Sequence, residues 1–129
     1  MTTTPDPDAT LVHLCARDDW SLVAADGGDY RPPSLTEVGF IHLSTPGQVH
    51  LPANRLFAGR TDIVVMYLDA TKLAAEVRWE PGVPDDPSDM LFPHVYGPIP
   101  LGAVTGVDPY LPGFDGRFGP LEPGTGQSR

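Results

Sequence analysis

Three of the chain's histidines stand inside short apolar runs: His13 in Leu11-Val12-His13-Leu14, His42 in Gly39-Phe40-Ile41-His42-Leu43-Ser44, and His94 in Phe92-Pro93-His94-Val95-Tyr96-Gly97. A carboxylate, Glu80, closes a fourth run, Val77-Arg78-Trp79-Glu80. Imidazole and carboxylate groups are costly to bury without partners. Their placement on strand-like segments therefore points to a polar cleft. Such groups exchange protons, hold anions or stabilise a developing positive charge. His42, Glu80 and His94 are the expected catalytic groups.

The elements that must position them follow from periodicity. Thr10 to Cys15 reads as a first strand. Asp18 and Asp19 precede Trp20 and Val23 at helical spacing, and Gly27-Gly28 ends that helix. Tyr30-Arg31-Pro32-Pro33-Ser34 is expected to be extended because of its prolines. In the strand Gly39–Ser44, period two places Phe40, His42 and Ser44 on one face and Ile41 and Leu43 on the other. A helix is predicted from Pro46 towards Phe57, capped by Thr45, broken or kinked at Pro52 and ended by Gly59.

Ile63 to Leu68 is the strongest strand signal and is expected at the centre of a sheet. A helical turn over 70–75 leads to a strand over 76–80, whose alternation sets Val77 and Trp79 opposite Arg78 and Glu80. The Pro- and Asp-rich stretch 81–89 reads as a loop that could serve as a lid. His94 to Gly97 is a short extended piece, and Val104 to Tyr110 a last strand. Residues 1–9 are expected to be a disordered extension, 10–111 a single domain, and 112–129 a loosely held Gly/Pro-rich tail. The mixed order of elements, without regular βαβ alternation, favours an α+β domain with a curved, mostly antiparallel, split sheet and short helices.

Composition narrows the function. A chain of 129 residues suits one domain with a modest core. The formal net charge of -9 repels phosphate backbones, so broad nucleic-acid binding is not expected. A single cysteine, Cys15, allows no internal disulfide and fits a reducing compartment. It reads as a small buried hydrophobe rather than a nucleophile. No signal peptide or membrane span is apparent, so a cytoplasmic location is expected. No Gly-x-Gly-x-x-Gly stretch supports a Rossmann-type site.

Taken together, several segments resemble the family called Domain of Unknown Function (DUF) 952. They are Tyr30-Arg31-Pro32-Pro33-Ser34-Leu35, Gly39-Phe40-Ile41-His42-Leu43-Ser44, Ala53-Asn54-Arg55-Leu56-Phe57 with Gly59, Val77-Arg78-Trp79-Glu80, and Phe92-Pro93-His94-Val95-Tyr96-Gly97-Pro98. They stand in that family's order, over roughly residues 10–110. The resemblance implies an ADP-ribosyltransferase-like fold. The first half is also similar to RNA 2'-phosphotransferases of that fold. By that likeness His13 takes the place of the histidine that contacts the ribose of NAD, and His42 the second-strand position. Glu80 is the nearest match to the third motif.

What the resemblance implies is an ADP-ribosyltransferase-like protein that takes NAD as substrate, or a related nucleotide or phosphorylated ribose. A carboxylate such as Glu80 would face the cation that develops on the ribose. His13 and Ser44 would hold ribose and nicotinamide, Tyr96 or Tyr30 would stack on the ring, and Arg31, Arg55 or Arg78 would grip a diphosphate. No metal is expected in that reading. Two rivals stay open: a metal-dependent enzyme built on the histidines and Glu80, and a non-catalytic metabolite-binding module. Oligomeric state is left open.

Overall fold

The computed structural model describes residues 10–81 and 91–121. The expected extension over 1–9, the loop expected over 81–89 apart from Pro81, which ends a strand, and the last residues of the tail lie outside them. The described residues form two three-stranded antiparallel sheets, which bears out a small α+β domain with few, short helices. One sheet has the order β1 (Thr10–Ala16), β3 (Ile63–Asp69), β6 (Val104–Pro109). The other has the order β2 (Ile41–His42), β5 (Leu91–Val95), β4 (Val77–Pro81). An antiparallel bridge between Val12 and Ser44 joins their edges, with both N–H groups donating to the opposite carbonyl at 2.8 Å.

β3 is central, as its unbroken apolar run requires, and Ile63 through Leu68 are all buried. Its alternation feeds two cores. Val64, Met66 and Leu68, with Leu11 and Cys15 of β1, face the second sheet and pack with Ile41, Leu43 and Val95. Val65 and Tyr67, with Val12, face the other way and pack with Val49, Ala53, Tyr110 and Phe118.

The second sheet sorts its side chains between an apolar face and a polar one. Across it Ile41, Val95 and Val77 form one row turned towards the core, while His42, His94 and Arg78 form the next row on the opposite face, where His42 and Arg78 are exposed and His94 is buried. This alternation sets all the candidate groups of that sheet on one face.

The helices are α1 (Arg17–Asp26), α2 (Pro33–Glu37) and α3 (His50–Phe57). Gly27, at φ 81, ends α1 in the left-handed conformation that glycine tolerates best. Single 3₁₀ turns follow β3 and precede β6.

Four expectations change. The extended reading of Tyr30–Ser34 fails at its end, because Pro33 opens α2, where its missing N–H costs nothing and its fixed φ suits a helix. The helix expected from Pro46 begins only at His50, and Thr45 does not cap it. Pro52 therefore falls in its first turn and breaks nothing.

β5 starts before His94 and includes Pro93, whose carbonyl accepts from Leu43 N–H, a bond that needs no proline donor. Finally, residues 112–121 are not loose. Phe118 is 3% exposed, Asn54 of α3 binds both its N–H and its carbonyl, and the Tyr110 hydroxyl donates to Gly119.

Candidate functional site

The junction of the two sheets holds the site. His13 lies on the same face of β1 as Leu11 and Cys15, directly opposite Met66. It reaches across the junction: its Nδ1 is 2.7 Å from the His42 carbonyl oxygen and its Nε2 is 2.8 Å from the Tyr30 hydroxyl. A carbonyl only accepts, so Nδ1 carries the proton and Nε2 accepts from Tyr30. Burial lowers the His13 pKa to about 4, with the His42 carbonyl partly opposing and the His42 ring adding to the shift. His13 is thus a neutral pin that ties β1, β2 and the segment before α2 together. The Tyr30 hydroxyl also lies beside Cys15, and burial raises both groups, the thiol to about 11. Cys15 stays a protonated thiol at neutral pH.

A cleft of about 350 Å³ opens at this junction. His13, Ser34, His42 and Ser44 supply polar groups, and Pro52 and Leu56 of α3 supply apolar wall. A second recess of about 140 Å³ shares His42, Ser44, Pro52 and Leu56 with the first and adds Arg55 and Phe92. His42 is exposed and stands where the two recesses meet. Its pKa is lowered, first by burial, then by His94 and Arg55.

Behind His42, on the same face of the second sheet, lies a hydrogen-bonded cluster. His94 Nδ1 is 2.9 Å from Glu80 Oε1, and the Tyr96 hydroxyl donates to that same oxygen at 2.7 Å. These bonds, Tyr96 first and His94 second, hold the Glu80 carboxyl below the usual carboxylate range. The same bond raises Tyr96, which keeps it a donor. Because Glu80 accepts, His94 carries its proton on Nδ1, and its Nε2 is buried with no hydrogen-bond partner. His94 is 2% exposed. Phe40 stacks on it with ring centroids 4.1 Å apart at 14°, and His42 meets it edge-on at 5.0 Å. The Arg78 guanidinium sits 4.5 Å over the Tyr96 ring.

The structure therefore brings His13, His42 and Ser44 into one cleft and Arg55 to the neighbouring recess. It gathers Glu80, His94 and Tyr96 into a second group that touches the first through His42. Arg31 is exposed and lines neither recess. Among the described residues no three His, Cys, Asp or Glu side chains are grouped to hold a metal ion. No helix of the described residues is long and apolar enough to cross a membrane.

Sequence reasoning missed Ser34 and the roles of Phe40 and Tyr30. The period-two pattern that put Phe40 beside His42 was the available signal for Phe40. Nothing local marks the Tyr30 hydroxyl as the partner of His13.

Comparison with known proteins follows the same boundaries. No curated protein matches the chain. Among solved structures, the crystal structure of protein CC0527 from Caulobacter crescentus matches with a TM-score of 0.69 and 25% identity, over 85% of this chain and 93% of that one. The solution NMR structure of CC0527 matches with a TM-score of 0.69 and 26% identity, over 84% of this chain and 90% of that one. The family model described as protein of unknown function (DUF952) matches residues 14–107. The chain belongs to the DUF952 family.

Proposed function

Starting from that membership, we propose that this DUF952 protein binds a nucleotide or phosphorylated ribose, NAD among the candidates, in the His42 cleft. We read its paired sheets as an ADP-ribosyltransferase-like fold. The observation that carries the proposal is the junction itself. Two antiparallel sheets meet at Val12 and Ser44, and the His13 ring donates to the backbone carbonyl of His42 where both residues line an open cleft.

The cleft's size lies near the lower end of ligand sites, which run from roughly 300 to 1,000 Å³. Its proline and leucine walls suit a flat ring, while His42, Ser34 and Ser44 offer donors and acceptors to a ribose or an amide. Arg55, in the adjoining recess, suits a phosphate.

The reaction that fits is transfer at the anomeric carbon of a ribose. The bond to the leaving base breaks, positive charge develops on the sugar, and a preorganised negative group lowers the barrier. Glu80 carries that negative charge, but it lines neither recess, so its influence reaches the cleft through His94 and His42. The metal-dependent reading lacks a set of three ligands among the described residues.

Calorimetric titration with NAD, ADP-ribose and adenosine 2'-phosphate tests the proposal, with His42→Ala as control. Saturable heat from at least one ligand, lost in the variant, is expected. No heat from any of them overturns it. Binding of NAD without release of nicotinamide would leave a metabolite-binding module in place of a transferase.

A further inference from the structure

A buried imidazole with one nitrogen held by a carboxylate and the other without a partner needs an explanation. An acceptor buried without a partner loses its hydration and gains nothing in return. His94 Nε2 is such an atom. The two ring nitrogens of an imidazole point nearly opposite ways. Nδ1 is turned towards Glu80 on β4, so Nε2 is turned towards the β2 side of the sheet. The side chain paired with His94 on that side is His42, edge-on at 5.0 Å. Phe40 covers the ring of His94 and touches His42 as well, at 5.0 Å.

We infer that Glu80, His94 and His42 form a proton relay from the sheet's outer face into the cleft, in which His42 acts as the general base. The inference rests on the reading of the cleft as a ligand site. In use, His42 turns one N–H onto His94 Nε2 and presents its other nitrogen to a hydroxyl of the bound acceptor. When that hydroxyl attacks, its proton passes to the free nitrogen of His42, and the N–H proton of His42 passes to His94 Nε2. His42 ends neutral in its other tautomer. His94 ends as an imidazolium, paired with the Glu80 carboxylate, while the acceptor oxygen bonds to the anomeric carbon of the ribose as the bond from that carbon to the base breaks and its electron pair leaves with the base. The new positive charge thus rests where a carboxylate already stands.

His94 and Glu80 are positioning residues in this scheme, because neither touches the acceptor. The groups facing the pair are Glu80 and Arg78 from β4, Tyr96 just after β5 and Arg55 from α3, with the His13 ring across the His42 carbonyl. Arg78 and Arg55 bear positive charge, so Glu80 is the group that makes a proton on His94 tolerable.

The test reads the histidine ring nitrogens by ¹H–¹⁵N NMR between pH 8 and 4.5, on ligand-free protein, in wild type, Glu80→Gln and His94→Gln. Three results are expected. His94 carries its proton on Nδ1 in the neutral form. His42 takes up a proton in a step that also moves the His94 ring-nitrogen signals. That step moves to lower pH in Glu80→Gln by about 1 unit or more, the usual effect of removing an opposite charge at this range.

Chemical-shift dispersion of the backbone amides verifies that each variant is folded, and His94→Gln verifies the assignment. A His94 ring protonated on Nε2 overturns the relay, as does a His42 titration that is the same in wild type and Glu80→Gln. A merely structural Glu80 would give that second result. Because no ligand is present, these outcomes are separate from the calorimetry. The relay can fail while nucleotide binding stands, and the coupling of His42 to Glu80 can be seen even where nucleotide binding fails, which keeps the two failures distinguishable.

Discussion

The two sheets are built from similar lengths of chain, yet they do opposite things with their faces. In the β1-β3-β6 sheet both faces are covered, and its central strand is apolar from Ile63 to Leu68. In the β2-β5-β4 sheet the row Ile41, Val95 and Val77 is packed inward, and the next row carries His42, His94 and Arg78 on the opposite face, with His94 buried beneath Phe40. The first sheet supplies buried apolar packing, and the second carries the polar groups on which the proposed function rests. His13 is the exception that links them. It sits on the apolar sheet, but it is neutral, uses both nitrogens on protein partners and serves to fix the junction.

The largest effect belongs to the covered sheet. Met66 is fully buried at its centre, and Met66→Ala is expected to cost about 2–5 kcal/mol in denaturant unfolding. A loss below that range would mean that the sheet is not the stabilising element.

Acid acts next, at the junction. The unfolded chain takes up a proton on His13 near its ordinary pKa of 6.5, whereas the folded chain resists until about 4. Stability from this group is therefore full above pH 6.5 and is lost as pH falls towards 4. Glu80 adds a loss only below its ordinary value of 4.5, since its folded pKa is depressed. Thermal midpoints of wild type and His13→Gln should converge as pH falls from 7 to 5. Parallel curves would show that His13 is not held neutral.

Asn54 tests whether the C-terminal segment belongs to the covered sheet's second core. Asn54→Ala removes both bonds to the Phe118 backbone and is expected to cost about 1–2 kcal/mol. No change in unfolding free energy would detach that segment from the fold.

Smallest is the outer row. His42→Ala, at an exposed position, is expected to stay within about 0.5 kcal/mol of wild type while abolishing ligand binding. A large loss of stability would make His42 a structural residue like His13.

Much of this contrast was legible in the sequence. The apolar run of β3 named the central strand, and period two separated Ile41 and Leu43 from His42. Alternation likewise set Glu80 and Arg78 against Val77 and Trp79. What escaped was long-range or masked by proline. Pro93 concealed the start of β5, because its strand role depends on a carbonyl bond from Leu43, fifty residues earlier. Phe118 is a lone aromatic in a Gly/Pro-rich stretch, and only Asn54, on a distant helix, explains its order. The pairing of His13 with Tyr30 spans a helix and a turn, so no local spacing announces it. Arg31 sits beside residues that build the cleft, yet it is exposed, since neighbours in an irregular segment have no fixed common face.

The central claim is that ligand is taken up where the two sheets meet. It is tested most directly by titrating ¹⁵N-labelled protein with ADP-ribose and following the backbone amides. The account predicts saturable shifts concentrated at His13, Ser34, His42, Ser44 and Arg55, with β6 and the segment around Phe118 unmoved. Saturable shifts centred on β6 or Phe118, with the His42 region silent, would contradict it.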